Sequence, residues 1–323
     1  MRSNVLEGNV MKKKTLHITN GDSLTNYLKE LDIAGDFLTW QEMLCEGPTE
    51  IKIDTESFFN KRKAFLNEFY DIEINESEYV SEIQKLNHLE GYKEIVLWFE
   101  YDLFCHINLI GVISLLQQKH VKLPLYLVCS GRIAGGKNLK GLSELSSGQL
   151  LCHYDNKVKL TSEDIDMAVS VWKTYCGKDH NLLKHYITQK SSFTYLTNCL
   201  KAHLERFPDL KSGLDIIEEN ILSIVRDKSI KSKNHLLGYA LNYQGFYGYG
   251  DIQLSRIIDK LSIFFSEEDK IITLNRKGHE ALLGQHNFSL EIGNNIPYGG
   301  VNRFDFQFSK QQNKLIKTII NAY

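Results

Sequence analysis

Four acidic side chains stand where short apolar runs of the sequence give out. Asp22 follows "LHIT" (16–19), Glu46 follows "DFLTW" (36–40), and Glu100 and Asp102 follow "EIVLWF" (94–99). Carboxylates grouped on one rim can divide acid and base roles, and could hold a divalent metal through their oxygens. Each has neighbours suited to holding a ligand. Asn20, Gly21 and Ser23 surround Asp22, and Trp40 and the Gly47-Pro48 pair bracket Glu46. Asn108 lies one to two helical turns beyond Asp102, and Gly131 and Arg132 follow a fourth apolar run, "LPLYLVCS" (123–130). In such a site Asn20 and Asn108 would orient the ligand, the glycines would let backbone approach it, and Trp40 would offer a ring for stacking. Arg303, far along in the tail, would close the site. Capping competes with these roles: Asp22 or Ser23 is a natural N-cap for the helix that follows, and Asp102 for its own. Glu42 reads as a solvated surface residue.

Two strings in this region match known signatures. "GDSL" (21–24) is the mark of a serine esterase family, with Ser23 as nucleophile. That chemistry also needs a late Asp-x-x-His to activate the serine, and no aspartate here has a histidine three residues on. A serine without its base is a poor nucleophile, so Ser23 is demoted to a cap or a minor ligand contact. "GRIAGGKN" (131–138) fits G-x-x-x-x-G-K, but Asn138 stands where a P-loop has Ser or Thr for magnesium. Gly141 and "SSG" speak against a long helix after it, so an ordinary glycine-rich loop is expected.

The elements that would position these residues alternate. Strand-like runs at 16–19, 36–40, 94–99 and 123–130 are separated by helical patterns, the first ending near Gly35, others over 55–70 and 76–90, and a long one from Asp102. Strand–helix repetition of this kind implies a parallel sheet with crossover helices, a Rossmann-like α/β domain over 12–155. In such sheets ligands bind outside the carboxyl ends of the strands, which would put the four acids on one rim. Connecting helices fill 156–210. The last part, 211–323, reads as three helices and a strand pair, a winged-helix-like pattern. It ends in "YGGVNRFDFQFS", where Phe304, Phe306 and Phe308 alternate with polar residues as in a half-buried strand.

Composition narrows the function classes. The 323 residues carry a net charge of −2, so no global basic field draws the chain to nucleic acid or an anionic membrane. Between Lys211 and Gln285 ten Lys/Arg face ten Asp/Glu, which argues against DNA as the winged-helix partner. The basic stretch "RDKSIKSKNH" (226–235) reads as a solvated turn. Six scattered cysteines without C-x-x-C spacing read as free thiols. The start lacks the apolar core of a signal peptide, Met11 is a second candidate start, and no run suits a membrane helix. A cytoplasmic protein is expected.

Several stretches in order resemble a known family. "LHITNGDSL", "GDFLTWQEMLCEGP", "IVLWFEYDLFCHINLIGVISLL" and "LKGLSELSSGQL" look like the uncharacterised family catalogued as domain of unknown function 1835. "YGDIQLSRIIDKL", "ITLNRKGHEALLG" and "YGGVNRFDF" resemble its usual partner, domain of unknown function 3658. The resemblance spans roughly 15–308 and implies a two-part member whose Asn-Gly-Asp signature lies at 20–22. The family's tryptophan-acid-leucine-glycine-proline stretch maps to Trp40, Glu42, Leu44, Gly47 and Pro48, with Glu42 in place of an aspartate. Tyr298 and Phe304 stand where the family's tail has tryptophans. The resemblance supplies a site location and no reaction. The expectation is a protein that binds a small phosphorylated or nucleotide-like ligand, with hydrolysis or transfer of that ligand as reactions open to such a site. The alternative is a ligand-sensing regulator or adaptor whose winged-helix-like part contacts a protein or DNA.

Overall fold

The continuous apolar run of 94–99 becomes an inner strand, buried from Ile95 onward. Its side chains feed two cores: Ile95, Leu97 and Phe99 one, Val96 and Trp98 the other. The computed structural model describes residues 13–133 and 138–318; the first twelve residues, with the candidate start at Met11, and the centre of the glycine-rich stretch lie outside them.

In chain order the first half is β1 (Lys14–Asn20), α1 (Asp22–Glu30), β2 (Asp36–Trp40), β3 (Gly47–Pro48), α2 (Glu56–Tyr70), α3 (Glu76–Gln84), β4 (Tyr92–Phe99), α4 (Leu103–Gln118), β5 (Leu125–Cys129), α5 (Ser147–Asp155) and β6 (Val158–Lys159). The main sheet has the order β2-β1-β4-β5-β6. The first four strands are parallel and the short β6 is antiparallel. From β1 the chain steps to one side for β2, then crosses to the other side for β4. The connections therefore part between the carboxyl ends of β1 and β4, where a crevice forms in sheets of this kind. Leu24 and Leu28 of α1 and Leu150 of α5 cover the Val96–Trp98 face. Phe58 of α2, Ile83 of α3 and Ile110 of α4 cover the other. In α4 every residue from Cys105 to Leu116 is buried, as expected of a helix apolar all round. It lies under α6 and α8.

The second half runs α6 (Ser162–Tyr175), α7 (Lys184–Ile187), α8 (Leu196–Glu205), α9 (Ile216–Asp227), α10 (Lys233–Asn242), α11 (Asp251–Lys260), β7 (Phe265–Glu268), β8 (Ile271–Leu274), α12 (Arg276–Leu282), α13 (Ser289–Ile292), β9 (Pro297–Gly299), β10 (Val301–Asn302), β11 (Phe306–Ser309) and β12 (Lys314–Lys317). Helices α9 to α11 and the antiparallel β7–β8 hairpin give the expected three helices and strand pair. The tail then returns to the first half: β9 pairs in parallel with β3, Gly47 opposite Tyr298. One buried cluster runs from Leu16 to Ile292 across both halves.

Three elements differ from expectation. The first helix stops at Glu30, well short of Gly35, and Asp32 at φ +53° turns the chain out of it. The helix expected over 76–90 ends at Gln84 with one further 3-10 turn. The tail strand is broken by a 3-10 turn at Arg303–Asp305, where Asp305 Oδ2 accepts the Asn302 N–H at 2.8 Å. That turn reverses the expected alternation: Arg303 goes inward and Phe304 is only half-buried. All six cysteines are free. Among the described residues no helix is long and apolar enough to cross a membrane.

Candidate active site

Glu100 and Asp102 meet just beyond the carboxyl end of β4. One ligand atom each of Glu100, Asp102 and Cys105 lies within 4.8 Å of the others. Asp102 caps α4 as expected, its Oδ1 accepting the Cys105 N–H at 2.8 Å. The first amides of α4 are occupied from the second half of the chain. Leu103 N–H donates to Phe246 O at 2.7 Å and Phe104 N–H to Tyr247 O at 3.1 Å. An anion therefore finds no free amides there. Glu100 is held from the other side, accepting the Leu142 N–H at 2.6 Å.

Burial dominates the electrostatics. It pushes the Glu100 carboxyl up to about 7, the charge of Asp102 adds to the rise, and the Leu142 and Ser143 amides oppose it. Burial also raises Asp102, against its hydrogen bonds to Cys105. The Cys105 thiol is raised by burial and by both carboxylates, so it is a neutral thiol rather than a thiolate. His106 is pushed down to about 4 by burial and is neutral. Its Nδ1 lies 3.1 Å from the Asp102 carbonyl oxygen, so Nδ1 carries the proton and the buried Nε2, without a partner among the described residues, is an acceptor.

Asn20 and Asn108 join this corner to the loop after β2. Asn108 Nδ2 donates to Asn20 Oδ1 at 2.8 Å, Asn108 Oδ1 accepts the Leu44 N–H at 3.0 Å, and Asn20 Nδ2 reaches Cys105 Sγ at 3.2 Å. Asn108 is wholly buried and its polar atoms are spent on protein. It braces the strand ends and offers no polar atom to a ligand.

The turn after β1 is open. Gly21, at φ +90°, takes the N-cap position that Asp22 or Ser23 was expected to fill, and no side chain caps α1. A glycine suits that backbone because other residues rarely adopt it. Asp22 and Ser23 are exposed on the first turn, and Asp22 accepts a hydrogen bond from Gln41.

Other expected site residues lie elsewhere. Glu46 is fully buried, bonded by Tyr70 and by Gln253 Nε2 at 2.8 Å, with Arg256 Nη2 at 3.6 Å. It ties α2 to α11 and shares no partner with Glu100 or Asp102. Trp40 is 3% exposed inside the core, so its ring is not free to stack on a ligand. Gly47 is packed beneath Arg62 and Phe65 and paired in β3. Arg303 does not close the crevice. It is buried in the second half, bound to Glu218 Oε2 at 2.7 Å and Asp215 Oδ2 at 3.1 Å. Gly131 does line the region, but Tyr195 covers it: a Cβ there would stand 1.9 Å from the Tyr195 hydroxyl, which accepts the Arg132 N–H at 2.9 Å.

Glu42 is also not solvated. It is 5% exposed and paired with Arg62 at 2.9 Å. Arg62 also donates to the carbonyls of Glu46 (2.6 Å) and Met43 (3.1 Å), so one guanidinium pins the whole loop between β2 and β3. Sequence reading missed Arg62 because "NKRKAF" looks like a solvated helix face. It missed Arg206, His203 and His180 for a similar reason: neither "KAHLERF" (201–207) nor "GKDHNLL" (177–183) carries a signal that its His or Arg points inward.

Taken together, these residues belong to a mixed α/β chain whose partly parallel five-stranded sheet gathers two carboxylates at its switch point. No family model and no curated protein matches the chain. Among solved structures it is similar to the DNA-binding, cleavage and re-ligation domain of Plasmodium falciparum topoisomerase II, at 13% identity and a TM-score of 0.44. That match covers 81% of this chain and 43% of the other, so this chain spans less than half the length of that structure.

Proposed function

We propose that the protein binds a small phosphorylated or nucleotide-like ligand at the carboxyl ends of β1 and β4, and acts on it as a hydrolase or transferase with Glu100 as acid–base group. The observation that carries this reading is the pairing of Glu100 and Asp102 where the sheet connections part, with Glu100 raised to about 7. A carboxyl poised near neutrality can both give and take a proton. The uncapped first turn of α1 supports an anion beside it, since its free amides are unclaimed by any side chain while those of α4 are taken. Asp22, exposed on that same first turn, is the carboxylate placed to help hold a divalent cation that a phosphate brings with it. The resemblance to domain of unknown function 1835, with Asn-Gly-Asp at 20–22, points to the same corner.

The test is a thermal-shift screen of the full chain with nucleotides and phosphosugars, each with and without magnesium. Stabilisation by one compound, lost in Asp22→Asn and in Glu100→Gln, is expected. Equal stabilisation of wild type and both variants, or none by any compound, overturns the assignment.

The three helices followed by the β7–β8 hairpin favour a second reading, in which 211–285 is winged-helix-like and contacts a partner. Its balanced charge favours protein over DNA. Absence of duplex binding at low salt would remove the DNA form.

A further inference from the structure

Helix α10 carries an aromatic strip on its outer face. His235, Tyr239 and Tyr243 follow one another at four-residue spacing, which places them on one side of the helix. Ring centres are 5.1 and 6.2 Å apart, and the two tyrosine planes lie within 18° of each other. Tyr243 is 62% exposed. Three shallow grooves meet at this residue: one of about 520 Å³ runs toward Asn138, one of about 400 Å³ toward Asn198 on α8, and one of about 340 Å³ toward Asn220 on α9.

The groove walls are rich in amides and balanced in charge. Asn138, Asn198, Asn220 and Asn234 line them and make no side-chain bond to protein among the described residues. Among the described residues their charged lining is two against two, Lys201 and Lys228 facing Glu205 and Asp227. His235 Nδ1 accepts the Lys231 N–H at 3.2 Å, which leaves Nε2–H as a donor.

We propose that this surface binds a neutral oligosaccharide, with sugar rings laid on Tyr239 and Tyr243 and hydroxyls bonded by the asparagine amides. A hydroxyl both donates and accepts, and an amide side chain answers both needs. An aromatic ring offers apolar area to the C–H face of a pyranose and costs little conformational entropy to present. A single-stranded nucleic acid would also stack on tyrosines, but it needs unbalanced cations along its backbone, and the described lining has none in excess.

The test titrates the full chain by calorimetry with maltohexaose, cellohexaose and chitohexaose, backed by an array of neutral glycans, with hexauridylate as the charged comparison. At least one neutral glycan is expected to bind, with affinity unchanged between about 50 and about 500 mM salt, where surface electrostatics would be screened out. Tyr243→Ala is expected to weaken it about tenfold or more, the loss of one ring's contact, with an unchanged melting temperature because the ring is exposed. Asn234→Ala serves as a second variant with the same expectation. Lack of binding by every neutral glycan overturns the proposal. So does binding that persists in both variants, or binding of hexauridylate alone with a steep salt dependence.

Discussion

Gly248 lies against the carboxylate of Asp102 so closely that a Cβ there would stand 2.2 Å from Asp102 Cγ. The two residues are 146 positions apart by their numbering, and their contact is where the second half of the chain roofs the strand ends of the first. The carbonyls of Phe246 and Tyr247 arrive with it and satisfy the first amides of α4. Gly248→Ala should therefore cost more than backbone strain alone. Gly245 has the same φ of +67° with open space around it. Gly245→Ala reports the strain, on the order of 1–2 kcal/mol. Gly248→Ala should lose clearly more in urea denaturation, and equal losses would show that the contact with Asp102 has no energetic weight.

Glu100 gives a pH dependence with a definite sign. Its folded carboxyl is raised to about 7 from an ordinary 4.5, chiefly by burial. The folded state then holds a proton that the unfolded state has released, so stability is lost as pH rises from about 4.5 to about 7. The full effect of such a shift is on the order of 3 kcal/mol. Glu100→Gln keeps the shape and cannot ionise. Its stability, relative to wild type, should rise between pH 5 and pH 8 in paired denaturation curves. A difference that stays flat across that range would mean that Glu100 ionises normally.

Arg303 is a buried cation of the second half, shared by Asp215 and Glu218. Burial and the charge of Glu218 push the Asp215 carboxyl above its ordinary range even with the guanidinium beside it. Arg303→Met leaves two buried carboxylates without a cation, a loss of about 3–5 kcal/mol at neutral pH or above. The loss should shrink toward pH 5, where Asp215 takes up a proton and the repulsion ends. Thermal unfolding of the variant at pH 8 and pH 5 checks this, and a penalty independent of pH would count against the pairing.

The four parallel strands and their order of appearance were legible because inner parallel strands must be apolar on both faces, and "EIVLWF" and "LYLVC" can hardly be anything else. The N-cap at Asp102 was legible for a similarly local reason. The meeting of Glu100 with Asp102 followed from the strand-end rule and needed no long-range information. Glu46, Trp40, Gly47 and Arg303 share that local look, yet their surroundings are set by residues distant in sequence, such as Gln253 for Glu46 and Glu218 for Arg303. No periodicity encodes such contacts. Glu42 is the sharpest case: its type suggested solvent, and one arginine on the next helix, Arg62, made it a buried ion pair.

A chain of buried polar groups near the tail strand makes the last prediction. Arg206 is fully buried, and its guanidinium donates from Nε to His203 Nδ1 at 3.1 Å and from Nη1 to the Tyr249 hydroxyl at 3.0 Å, while it lies 3.8 Å over the Tyr298 ring. No carboxylate pairs with it among the described residues. Because Arg206 has no acceptor capacity, His203 must present a lone pair at Nδ1 and carry its proton on Nε2. That proton points at His180 Nδ1, 2.8 Å away, and His180 passes its own Nε2–H to the Tyr175 carbonyl at 2.8 Å. The tautomers of both histidines are thus fixed by one arginine, and burial holds both pKa values down so that they stay neutral. His203→Phe keeps the aromatic volume but deprives a buried cation of an acceptor, which should cost about 2–3 kcal/mol. In Arg206→Met the cation is gone, so adding His203→Phe should cost less than it does in wild type. A double-mutant cycle measured by urea denaturation isolates that coupling. Strict additivity of the two substitutions would show that the hydrogen bond between them contributes nothing to folding.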